Sequence, residues 1–388
     1  MKKNNRQLLE YLQNRQSDMV AFLEKMALAE SPSSVAESQN QVHHLLADSL
    51  KGLGFNTRTV SGKKTTGHHL YAIPVNRARH NHRQLLLGHY DTVWPLGTLD
   101  EMPFTVEGNV IKGPGVFDMK GGLTQIVFAL QAIQALDLPL PLTPVIFVNG
   151  DEEIGSKDSG RYIRMLAKRV QRSFILEPSM GAAGAIKTAR KGVARYTINI
   201  QGKAAHAGLD PESGASAIHE LSFIIQQLFG FNDQEKGISV NVGTIDGGLR
   251  PNVIAPTSQA VVDVRVKTQV DAEDIEKVIF ALKPQVPGVT LSIEGGVGRP
   301  ALEPTPRNHA LWMLAQDLGQ EIGLELEEGM AGGGSDGNTT SQYTATLDGL
   351  GPVGDGAHAH HEFLYIDKTI ERAALLALLL ISPPVIQQ

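Results

Sequence analysis

The stretch PVIFVNGDEEIGS, residues 144–156, decides the reading. Its first half, PVIFVN, is apolar without interruption, as a strand buried on both faces of a sheet should be. Its second half turns at Gly150 into three consecutive carboxylates, Asp151, Glu152 and Glu153. Two other apolar runs behave alike. RQLLLGHY (83–90), a strand expected to end near Leu87 or Gly88, runs into His89 and Asp91, and SFILE (173–177) ends on Glu177. A helical pattern over 39–53 precedes these runs, and between them lie one in which Leu123, Ile126, Val127, Leu130, Ile133 and Leu136 share a face and one over 157–172. Strands alternating with helices predict an α/β domain with a parallel or mixed sheet covered on both faces. In such sheets ligands bind beyond the carboxyl ends of the strands. A lone Asp-Glu-Glu is commonly a solvated turn, but three strand ends carrying histidine or carboxylate at one end of a sheet point to a site.

The pattern changes near Lys191. Tyr196, Ile198 and Ile200 alternate with polar residues, the period-2 signature of a half-exposed strand. A helix over 215–229, strands over 238–244 and 255–266, a helix from an Asp271 N-cap to about 282, and a strand over 289–293 complete the order β-α-β-β-α-β. That order is the split βαβ of a ferredoxin-like unit. From about Pro304 the chain returns to helix–loop–strand character, with a helix over 309–321 and a closing apolar helix around AALLALLLI (373–381). The expected organisation is a discontinuous α/β domain, 1–190 and 299–388, with an inserted domain over 191–298.

Composition narrows the chemistry. The chain of 388 residues exceeds what one core holds, so more than one domain is expected. The formal net charge of -6 gives no basic footprint for nucleic acid. The N-terminal segment has no apolar core of a signal peptide, and the longest apolar run is too short to span a bilayer, so no membrane partner and a cytoplasmic location are expected. With no cysteine among 13 histidines and 41 acidic residues, any metal must be held by nitrogen and oxygen. A serine hydrolase is disfavoured because no G-x-S-x-G elbow occurs.

Spacing gives the polar clusters a logic. His89 and Asp91 are two apart, so an extended chain puts them on one side, where His89 can ligate and Asp91 can orient it. Glu152 and Glu153 are adjacent and point differently, so one can bind metal while the other acts as a base. Asp118 sits in GPGVFDMKGG (113–122), whose glycines allow a tight approach.

These blocks, in this order, resemble the M20 metallopeptidase family, most closely its glutamate carboxypeptidase branch. The matching stretches are GHYDTVWPLGTL (88–99), GPGVFDMKGG, DEEIGS (151–156), LEPS (176–179), GKAAHAG (202–208), RPNVIAP (250–256), GRPA (298–301), GGGSDGN (332–338) and GAHAHHEF (356–363). The resemblance implies a zinc-binding α/β domain interrupted by a dimerisation (lid) domain, hence a homodimer, and two Zn²⁺ per subunit, with Co²⁺ or Mn²⁺ as substitutes. It implies that His89 and Glu177 hold one metal, Glu153 and His358 the other, and that Asp118 bridges them. Glu152 would be the general base and Asp91 the supporting carboxylate. His206 would stabilise the oxyanion, Asn252 would lie near substrate, and Arg299 would grip a free carboxylate. Gly333 and Gly334 would line the substrate pocket. The late motif departs from the family pattern: His358, His360 and His361 all offer imidazoles, and Glu362, four residues on, favours His358. Arg265 is expected in an ion pair within the inserted domain. The implied reaction is release of a C-terminal amino acid, with glutamate the candidate, from a peptide, folate-like or N-acyl substrate. Deacylation of an N-acyl amino acid, of acetylornithine or succinyl-diaminopimelate type, is the alternative. A non-catalytic binding protein is the reading of another class.

Overall fold

The computed structural model describes residues 2–63, 66–76 and 82–384. It has an α/β fold with mixed sheets. Its chain divides into two compact units: Met1–Ala189 with Pro304–Ala331 and Ser335–Gln388, and Arg190–Glu303 with Gly332–Gly334.

The first unit is built on a six-stranded sheet in the order Phe55–Val60, His69–Pro74, Thr143–Asn149, Arg83–His89, Arg172–Ile175, Ala345–Leu347. The first two strands run antiparallel to their neighbours, and the rest pair in parallel. Alternate residues of the central strands enter different cores, which explains their unbroken apolar runs. Leu86, Ile146, Val148 and Phe174 pack against the helices Lys2–Gln13, Gln16–Leu28, Asn40–Gly52, Gly121–Ala135 and Ile366–Ile381. Leu85, Leu87, Val145, Phe147 and Ile175 meet Ile163 and Leu166 of the helix Gly160–Ala167 on the opposite face. Phe147→Ala should cost about 3–5 kcal/mol, because this smaller core has little means of closing the cavity. Urea unfolding measures it, and a loss below about 1 kcal/mol would contradict so tight a core.

The helix expected over 157–172 is shorter. Backbone N–H groups of Asp158 and Ser159 donate to the Asp151 carboxylate at 2.8 and 3.2 Å, and this contact holds the entry as a turn. The strand expected to end near Leu87 or Gly88 continues to His89.

In the second unit, strands Ser239–Gly247, Thr257–Val266, Gly192–Gln201 and Thr290–Arg299 form one antiparallel sheet in that order. Helix Ala217–Phe229 follows the strand Gly192–Gln201, and helix Gln269–Phe280 follows Thr257–Val266. Tyr196, Ile198 and Ile200 pack with Leu221, Ile224, Leu228, Ile275 and Ile279 in one core. The N-cap expected at Asp271 is Thr268, whose side chain accepts from Asp271 N; Asp271 therefore lies in the first turn. The last strand outruns its expected end at 293, because Gly295 and Gly296 (φ 121° and 150°) carry the pairing on without an apolar alternation to betray it.

Candidate metal centre

The register of the parallel strands builds the site. Leu87 pairs with Ile175 and His89 with Asn149, so two residues past the end of strand Arg172–Ile175 Glu177 comes level with His89. His89 Nε2 lies 3.4 Å from Glu177 Oε1 and 3.3 Å from Asp118 Oδ1. Asp118 and His358 arrive by another route. Strands Val110–Lys112 and Phe363–Tyr365 pair antiparallel in a small second sheet, with Lys112 opposite Phe363. The loop after Lys112 and the turn before Phe363 therefore leave the sheet side by side. His358, in the left-handed region at φ 61°, puts Nε2 3.1 Å from Glu153 Oε2 and 3.5 Å from Asp118 Oδ2. Asp118 thus presents one carboxylate oxygen to each imidazole.

Asp91 ties the remaining parts. Its carboxylate accepts the backbone N–H groups of Glu152 and Glu153, both at 3.2 Å. Its backbone carbonyl lies 2.9 Å from His89 Nδ1, which turns Nε2 toward the other carboxylates. Glu152 joins this group: His89, Glu152 and Glu177 offer ligand atoms within 4.8 Å of one another, as do His89, Asp118 and Glu153. Of the late histidines, His358 faces the carboxylates, whereas the His360 ring packs on Trp94 at 5.4 Å and His361 is exposed.

The electrostatics favour cations. Burial opposes charge on His89, but Asp118, Asp91 and Glu177 outweigh it and hold its pKa well above the ordinary value. Burial would raise the Asp118 carboxyl, yet His358 and His89 hold it far below the usual range. Hydrogen bonds to Asp118 and Glu153 push His358 up to about 10. Burial pushes Glu153 up to about 7 against the pull of His358. Glu153 Oε1 is buried without a hydrogen-bond partner, and Asp118 Oδ1 accepts no hydrogen bond of good geometry. Buried carboxylate oxygens left in this way, among imidazoles and with no thiolate, fit divalent cations of the zinc type.

A pH dependence follows. Both His358 and Glu153 have raised pKa values in the metal-free fold. Their contribution to its stability is therefore greatest at low pH, and it declines as pH rises through about 7 for Glu153 and about 10 for His358. Metal must displace these protons, so stabilisation by saturating Zn²⁺ should increase from about pH 5.5 to about pH 8.5, with protons released on binding. Thermal melts with and without Zn²⁺ measure it, and a stabilisation independent of pH would contradict this arrangement.

The other candidates lie in the second unit. Bridging of His206 with Val253, and donation by Ala207 N to Asn252 O at 3.0 Å, bring His206 and Asn252 side by side. His206 Nδ1 accepts the N–H groups of Gly208 and Leu209, both at 3.1 Å, which leaves the proton of the neutral ring on Nε2. Arg299 ends its strand opposite Val193. Gly333 O accepts from Arg190 NH1 at 3.1 Å. Arg265 is paired bidentately with Asp263 at 2.6 and 3.1 Å.

Two supporting side chains, Ser33 and Trp94, are not among the site residues expected from the sequence. Ser33 Oγ donates to Asp91 Oδ2 at 2.6 Å from 58 positions away. Trp94 Nε1 donates at 2.8 Å to Glu362, a residue the motif pairs with His358 but whose carboxylate instead serves Trp94 and the Asp118 loop.

A mixed α/β sheet whose strand ends converge on two imidazoles and several carboxylates defines a metal-dependent hydrolase. The profile of peptidase family M20/M25/M40 matches residues 85–382, and the chain belongs to that family. It is accordingly a metal-dependent peptidase. Carboxypeptidase G2 of Pseudomonas sp. (strain RS-16) is 29% identical over 367 residues, covering 92% of this chain and 87% of the relative. Acetylornithine deacetylase of Proteus mirabilis (strain HI4320) is 28% identical over 287 residues, 69% of this chain and 72% of the relative. The crystal structure of Bacillus subtilis YXEP, described as a dinuclear metal binding peptidase from the M20 family, matches the fold with a TM-score of 0.69 and 14% identity, over 95% of this chain and 98% of that one.

Proposed function

We propose that the protein is a di-zinc exopeptidase that releases a C-terminal amino acid, with glutamate the candidate, from a peptide, folate-like or N-acyl substrate. The observation that carries the reading is Asp118, with one oxygen 3.3 Å from His89 and the other 3.5 Å from His358. His89 and Glu177 would hold one Zn²⁺, Glu153 and His358 the other, and Asp118 both; Co²⁺ or Mn²⁺ suits the same atoms. Bound metal polarises a carbonyl and acidifies water. Glu152 would take the proton of the attacking water and deliver it to the leaving amine. Asp91 fixes Glu152, Glu153 and His89 through the contacts described above.

The second unit, Arg190–Glu303 with Gly332–Gly334, would serve as a ferredoxin-like lid, where the sequence alone predicts a lid over 191–298 between catalytic segments 1–190 and 299–388. His206 would donate Nε2–H to the developing oxyanion, with Asn252 beside it. Arg299 would bind the free carboxylate, for which a planar guanidinium is suited. The backbone at Gly333 and Gly334 would line the substrate pocket. Homodimerisation through the lid is supported by Ile218, Ile245 and Leu249, exposed by 47%, 64% and 70%. Light scattering tests it, and a monomer at working concentration would refute it. No helix among the described residues is long and apolar enough to cross a membrane, and we propose a cytoplasmic location.

The likeness to acetylornithine deacetylase favours one second reading, deacylation of N-acyl amino acids by the same centre. A panel of C-terminal dipeptides, glutamyl conjugates and N-acyl amino acids with added Zn²⁺ separates the two. Turnover confined to the N-acyl amino acids would select the second. No turnover by fully zinc-loaded protein would revive a non-catalytic binding role.

A further inference from the structure

Glu362 is fully buried, yet its carboxylate accepts four hydrogen bonds. Oε1 takes the backbone N–H groups of Phe117 and Asp118 at 2.9 and 3.0 Å. Oε2 takes Gly115 N at 2.9 Å and the Trp94 indole N–H at 2.8 Å. Three segments meet on this one side chain: the loop that carries Asp118, the turn that carries His358, and the 93–97 loop that follows Asp91. The small four-stranded sheet brings the loop and the turn together, with Gly113 N donating to Glu362 O at 3.4 Å, and the Asp118 peptide lies beyond Lys112, the last paired residue. The carboxylate ties the loop beyond the sheet to the turn, accepting two N–H groups at each oxygen.

We propose that Glu362 is a positioning residue that locks the Asp118 backbone to the His358 turn, so that both metal positions exist with the spacing Asp118 requires. All four of its hydrogen bonds go to protein N–H groups, so no ligand role is assigned to it. It acts through the peptide N–H of Asp118, which fixes where that carboxylate points. Trp94 completes the clamp by filling the last acceptor site and packing on His360 of the same turn. This inference rests on the reading of Asp118 and His358 as metal ligands.

The test uses the full-length protein and Zn²⁺ alone, titrated against a chelator, with melting of the metal-free protein as the folding control. Glu362→Gln leaves one acceptor oxygen and turns an NH₂ group toward Trp94 Nε1 and Gly115 N. Affinity for the weaker zinc should fall about 10–100-fold, with kcat falling in parallel and KM little changed. Trp94→Phe removes one donor and should weaken zinc binding by a smaller factor. In the Glu362→Gln background it should instead restore part of the affinity, because the amide then faces no indole N–H. Wild-type affinity for both zinc ions in Glu362→Gln, or simple additivity of the two changes, would overturn the proposal. Should Glu362→Gln fail to fold, Trp94→Phe decides, and unchanged zinc affinity there overturns it. Asp118→Asn serves as the control for the ligand reading. If that variant keeps both zinc ions, the ligand assignment itself has failed, a result distinct from an unaffected Glu362→Gln.

Discussion

Glu152→Gln is expected to reduce kcat by about 10²–10⁴-fold while both metal positions stay filled. The amide keeps the size of the side chain and cannot take a proton. The backbone N–H of Glu152 still donates to Asp91, so the turn that also carries Glu153 keeps its place. The five residues assigned as ligands are untouched. A merely structural role would give a different result, in which metal content and stability change together. Steady-state kinetics on the best substrate of the panel, with metal content measured on the same samples, provides the check. A fully loaded variant with kcat within about tenfold of wild type would remove Glu152 from the role of base.

Asp118→Asn is expected to have the second large effect, on metal binding itself. Asp118 presents Oδ1 to His89 at 3.3 Å and Oδ2 to His358 at 3.5 Å, the geometry on which we propose it as the ligand shared by both positions. An amide retains a single acceptor oxygen and no charge, and two cations would then sit close together without the anion between them. Zinc affinity should drop by at least about 100-fold for one position, with activity lost in proportion. The metal-free variant should also lose the attraction between this carboxylate and the two imidazoles. Chelator titration gives the affinities. Two equivalents bound with wild-type affinity would refute the bridging assignment.

The sequence marked which residues could carry chemistry, for local reasons. Unbroken apolar runs such as PVIFVN require burial on both faces, and the chain can present histidine and carboxylate only where those strands end. Absence of cysteine confined the donors to nitrogen and oxygen. Spacing of two between His89 and Asp91 already joined a candidate ligand to its support. The alternation around Tyr196 marked the second unit, although its helix cap fell at Thr268 and its last strand ran past two glycines that carry no periodic signal.

Tertiary structure alone decided what lies opposite what. Asp118 and His358 are 240 positions apart, and no local pattern says that Lys112 pairs with Phe363 and so brings their loops together. Parallel register, a property of neighbouring strands, set Glu177 level with His89. The same holds for the supports: Ser33 on Asp91 and Trp94 on Glu362 are single hydrogen bonds between distant segments, which leave no period in the sequence. Local propensity and burial are written residue by residue along the chain, whereas the distance between two carboxylates depends on every element that packs between them.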